Sequence, residues 1–71
     1  MALVEAAARE EHQVGKYRVT LFRDAEGRII GALVEGPRLP RPVYIAYSEA
    51  VRHRLPKAIK KFLRRFGFRV E

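Results

Sequence analysis

A chain of 71 residues with fifteen lysines and arginines, eight aspartates and glutamates and no cysteine has room for one small domain and carries a net charge of +7. Disulfides and thiolate metal sites are excluded, and His12 and His53 are too few and too far apart to cage a metal, so neither metal nor other cofactor is expected. Residues 1–15 hold one cation against three carboxylates and residues 16–71 hold fourteen against five, which puts the basic character in the body of the domain, where it favours polyanionic partners.

The remaining composition narrows the setting. There is no asparagine, one glutamine and an excess of arginine over lysine, a depletion of heat-labile residues that fits a thermophilic source and that high-GC coding also produces in part. No stretch reaches the roughly 18–20 apolar residues that span a bilayer, and Glu5 interrupts the N-terminus before a signal-peptide core could form. A soluble cytoplasmic protein with no membrane partner is expected.

Residues 2–13 include Leu3, Val4, Ala6, Ala7 and Ala8, good helix formers of little apolar bulk, and are read as a short N-terminal helix or arm within residues 1–14. Gly15 ends it. From Lys16 to Arg23 the alternation of Tyr17, Val19 and Leu21 with Arg18, Thr20 and Phe22 predicts a strand. Asp24-Ala25-Glu26-Gly27 has the chemistry of a type I turn closed by a left-handed glycine, and Arg28 to Glu35 returns as a second strand. Three prolines between Gly36 and Pro42 forbid helix or central strand and predict a stiff loop that presents Arg38 and Arg41. Val43 to Tyr47 reads as a third strand.

Ser48 and Glu49 then supply an N-cap and a first-turn acid. Val51, Leu55, Ile59, Phe62 and Phe66 follow at steps of three and four, which predicts a long amphipathic helix whose apolar stripe is the core. Pro56 lies inside it at a cost of about 3 kcal/mol, so the helix is expected to be kinked there. With Gly67 left-handed after the last turn, Leu63 and Phe68 fall at the two positions that pack in a Schellman motif. The expected fold is α+β in a single domain: a short N-terminal helix, a three-stranded antiparallel sheet and a long kinked basic helix on one sheet face, residues 15–71 forming a β-β-β-α body.

This order of elements resembles the double-stranded-RNA-binding domain, and Pro56-Lys57-Ala58-Ile59-Lys60-Lys61 is similar to the lysine-rich start of that family's last helix. Gly36-Pro37 follows the second strand, where the family's glycine-proline loop follows the first. The likeness is therefore one of topology and assigns no family.

Catalysis finds little support. Ser48 is the only serine and acts as a cap, no histidine lies at a useful spacing from an acid, and the glycines form no phosphate loop. His53 sits between Arg52 and Arg54 and reads as a surface residue. No enzyme and no small-molecule substrate is expected.

Binding is better supported. Arg52, Arg54, Lys57, Lys60, Lys61, Arg64 and Arg65 all fall outside the apolar stripe with no acid among them. Such neighbours repel by about 0.2–0.5 kcal/mol per pair, a cost that an idle solvated face of mixed sign would avoid. A non-enzymatic nucleic-acid-binding protein is expected, gripping phosphates through this helix and through Arg38 and Arg41, with RNA, ribosomal RNA included, ranked ahead of DNA. If Val19 and Leu21 face the core, Arg18, Thr20 and Phe22 point the other way, with Tyr44 beside them, and form a stacking platform for unpaired bases. The two central strands carry apolar residues on both faces, so the alternative is an interaction module that docks a partner or forms a homodimer.

Overall fold

Strands place every second residue on one face, and the alternation from Tyr17 to Glu35 therefore dictates a hairpin. The computed structural model, which describes residues 7–48 and 55–70, has β1 (Ala8–Val14), β2 (Tyr17–Arg23), β3 (Ile29–Glu35), β4 (Val43–Ala46) and one helix, α1 (Lys57–Arg65). The strands form a single antiparallel sheet in the order β1-β2-β3-β4. At the β2–β3 turn, Gly27 has φ 83° and its N–H donates to Asp24 O, while Asp24 Oδ1 accepts from the N–H groups of Glu26 and Arg28, as the turn chemistry predicts.

Two expectations fail. The segment read as an N-terminal helix is the edge strand β1 from Ala8 onward, with Glu10 opposite Leu21, His12 opposite Val19 and Val14 opposite Tyr17. Alanine's helix preference is worth at most about 1 kcal/mol per residue, and a short helix with no apolar face is marginal in water. The open edge of β2 instead satisfies a whole row of backbone groups at once. The two-residue loop Gly15-Lys16, with positive φ at Gly15 only, is the pattern of a type II′ turn and matches the twist of the strands it joins.

The second failure concerns the long kinked helix. Helix α1 has nine residues, and Pro56 stands at its N-cap position with φ −57° and ψ 149°. Proline disfavours helical geometry in the residue before it and lacks the N–H that an interior position needs, whereas at the helix entrance neither defect costs anything. The proline that the periodicity places inside a helix instead starts one. Val51, Arg52, His53 and Arg54, on which the first half of the prediction stood, lie outside the described residues. With four strands and one short helix, the topological likeness to the double-stranded-RNA-binding domain lapses.

Helix α1 covers one sheet face. Val19, Leu21, Ala32, Val34 and Ile45 point toward it and are fully buried with Ile59 and Leu63, joined by Leu55 and Phe68. Phe62 and Phe66, expected at the centre of the core, pack at its margin and stay half-buried. A bulge between Phe22 and Arg23 pairs Arg23 with Ile29, which brings Ile29 onto the core out of phase with Ala32 and Val34. The helix ends as the sequence predicts. Gly67 has φ 91°, its N–H donates to Arg64 O at 3.0 Å, and the Phe68 N–H donates to Leu63 O at 3.1 Å, the pair of bonds that defines a Schellman motif.

Candidate nucleic-acid interface

Helix α1 carries five of the predicted contact residues. Lys57, Lys61, Arg64 and Arg65 are exposed and Lys60 is half-buried. Arg64 and Arg65 sit in the last turn, where cations complement the helix dipole. Lys57 and Lys60 have the opposite relation to it. They occupy the positive end of the helix with no acid in the first turn, an arrangement that favours an external anion.

Four of the five described carboxylates are committed elsewhere. Glu10 Oε1 accepts from Arg23 Nε at 2.7 Å, Glu11 lies 4.0 Å from Arg18 Nε, and Asp24 and Glu26 both pair with Arg28. Among the described residues, every ion pair belongs to the sheet and its hairpin turn, and none of the α1 cations meets a carboxylate. Arg64 Nε donates instead to the carbonyl of Val70, tying the chain after Gly67 back to the helix.

Arg38 and Arg41 are exposed as expected. The N–H of Leu39 donates to Gly36 O at 3.1 Å, which makes Pro37 and Arg38 the corner of a turn, while Leu39 packs on the core and anchors the loop. The loop joins β3 to β4 at the sheet end where Gly15-Lys16 joins β1 to β2, so Lys16, Arg38 and Arg41 share that end.

Arg18, Phe22 and Tyr44 do share the sheet face away from α1. Tyr44 is 50% exposed, and its ring lies over Gly31, where a side chain would collide with it, and 6.1 Å from the Phe22 ring. Register adds what the sequence reading missed. With β1 in the sheet, Arg9 stands opposite Phe22 and Glu11 opposite Thr20, and Glu35 stands opposite Arg18, so this face carries Arg9 and Arg18 against Glu11 and Glu35. Its charge balances, and it lies on the opposite side of the sheet from the basic helix.

A third surface went unpredicted. His12, on the core-facing side of β1, lies between the sheet and the helix with its ring centroid 5.1 Å from Phe62 and 5.6 Å from Phe66. The phenylalanine rings, one helical turn apart, are 4.9 Å from each other. His12, Phe62, Arg65 and Phe66 line an open cleft of about 360 Å³. His12 Nε2 is 2.9 Å from Glu10 Oε2, which orients the imidazole. The Arg23 hydrogen bond first, and the His12 bond second, hold the Glu10 carboxyl below its usual range against partial desolvation. Only the strand register of β1 brings His12 here, and nothing in the local sequence signals it.

No family model, no curated protein and no solved structure matches the chain. Among the described residues no group of acids and histidines could hold a metal, and no helix is long and apolar enough to cross a membrane.

Proposed function

We propose that this protein is a non-enzymatic, cytoplasmic nucleic-acid-binding protein that grips phosphates through the exposed face of α1, with Arg38 and Arg41 as a second contact. The observation that carries the reading is the segregation of charge: five cations on nine helical residues that meet no carboxylate among the described residues, while Glu10, Glu11, Asp24 and Glu26 pair with arginines of the sheet and its turn. Placing lysines at the positive end of a helix costs stability unless an anion is bound there. Phosphate contacts of this kind carry no base preference, so RNA and DNA are both substrates and RNA remains the first choice to test.

The test is the salt dependence of binding, read by fluorescence anisotropy on labelled single-stranded RNA, duplex RNA and duplex DNA. Each phosphate contact contributes a slope of about −0.9 in log K against log salt on duplex DNA and about −0.7 on single strands. The Lys57→Gln/Lys60→Gln/Lys61→Gln variant should flatten that slope by two to three contacts' worth with its melting transition retained. Wild-type protein that binds none of the three below about 10 μM at low salt ends the proposal, because even non-specific binders reach ~10⁻⁶ to 10⁻⁴ M at physiological salt.

The charge-balanced open face supports a second reading. Phe22, Leu33 and the half-exposed Tyr44 between oppositely charged residues suit a protein partner or a second copy better than a polyanion. Sedimentation of the protein without nucleic acid separates the two.

A further inference from the structure

The rings of Phe62 and Phe66 meet the cationic ridge of α1 at its seam with β1. On α1, Arg65 follows Phe62 by three positions and Phe66 follows Lys61 by five, so the row Lys61–Arg65 borders the row Phe62–Phe66 along the edge facing β1. The cleft there has an imidazole and two phenyl rings as walls and a guanidinium at its rim. From the seam of α1 and β1 we infer a stacking site for an unpaired base of a single-stranded nucleic acid, the flanking phosphates lying on Arg65 and Lys61. This rests on the nucleic-acid reading above and assigns it a strand class.

Charge decides between this seam and the aromatic pair of the open face. Phe22 and Tyr44 are flanked by Glu11 and Glu35 as well as by Arg9 and Arg18, so a phosphate brought to that face meets as many carboxylates as cations. Among the described residues the carboxylate nearest the seam is Glu10, and both its oxygens are engaged, by Arg23 at 2.7 Å and by His12 at 2.9 Å. That engagement also fixes the His12 ring in place before a base arrives, which lowers the ordering cost of stacking. The mixture of half-buried rings and a cationic border is what sequence-tolerant single-strand binding uses: every base has a π face, and each stacked base is worth roughly 5- to 150-fold in affinity. A paired base is already stacked in its duplex and cannot enter.

The experiment compares an oligonucleotide of uniform base, as RNA and as DNA, with a strand of equal phosphate number carrying abasic sites and with duplex RNA. Wild type should bind the base-bearing strands about 5- to 150-fold more tightly than the abasic one. Phe66→Leu keeps apolar volume on the core margin and removes the ring, and His12→Gln keeps a polar partner for Glu10. Each should lose most of that preference and leave abasic and duplex binding unchanged. Equal wild-type affinity for base-bearing and abasic strands overturns the site while the phosphate-binding ridge stands. Loss of the preference in Tyr44→Leu with Phe66→Leu unaffected moves stacking to the open face and also overturns it. Absence of binding to every strand refutes both this site and the reading on which it rests.

Discussion

Gly67→Ala should cost more than its backbone geometry alone explains, and a second residue should account for the surplus. At φ 91° an L side chain pays about 1–2 kcal/mol. A Cβ at this glycine would also stand 2.5 Å from the Tyr47 hydroxyl oxygen, with the next ring atom at an ordinary 3.6 Å. The oxygen can yield only by moving a ring that packs edge-on against Phe68 at 5.0 Å, and Phe68 is part of the core. Because Tyr47 is 39% exposed and can turn outward in part, such crowding adds up to about 1 kcal/mol, for a total of roughly 2–3 kcal/mol at most. In a Tyr47→Phe background the offending atom is gone, and the same substitution should cost only the dihedral share, a coupling of up to about 1 kcal/mol in a double-mutant cycle. Gly27→Ala is the internal control, since Gly27 has φ 83° with nothing within 4 Å of a Cβ. Urea titrations followed by far-ultraviolet circular dichroism give the four stabilities, and in a domain of this size each kcal/mol moves the melting temperature by about 4–8 °C. Equal costs in the two backgrounds, or a Gly67→Ala penalty no larger than that of Gly27→Ala, would refute the reasoning.

Leu63 is fully buried while Phe62 is only half-buried, so Leu63→Ala should cost about 2–5 kcal/mol and Phe62→Ala roughly half of the 3–5 kcal/mol that full burial of a phenylalanine implies. The reverse order in denaturant titrations would place the helix in the wrong rotation. Glu10, whose folded pKa is depressed by Arg23 and His12, contributes stability that is present above the unfolded carboxyl value of 4.5 and disappears as pH falls through the lower folded value. Glu10→Gln should therefore destabilise at neutral pH and flatten the acid limb of the stability–pH curve, and a variant whose acid limb matches wild type would show that the pair does not form in solution.

Local chemistry was legible wherever a residue type admits few conformations. The β2–β3 hairpin, its Asp24–Gly27 turn and the Schellman end at Gly67 each follow from turn residues and from alternation over a handful of positions, and the stiff loop with Arg38 and Arg41 follows from prolines alone. The exposure of Lys57, Lys61, Arg64 and Arg65 was equally readable, since charge sorts outward whatever the helix length. Tertiary structure decided β1. Ala8 to Val14 has alanine on one side and polar residues on both faces, so neither period 2 nor period 3.6 is written into it, and the open edge of β2 made the choice. It also decided where the helix begins, because the apolar phase of Leu55 and Ile59 runs through Pro56 whether the chain is helical there or not, and both side chains reach the core by different backbones. The seam of His12, Phe62 and Phe66 joins residues fifty positions apart, and its existence depends on a strand pairing that no local signal encodes.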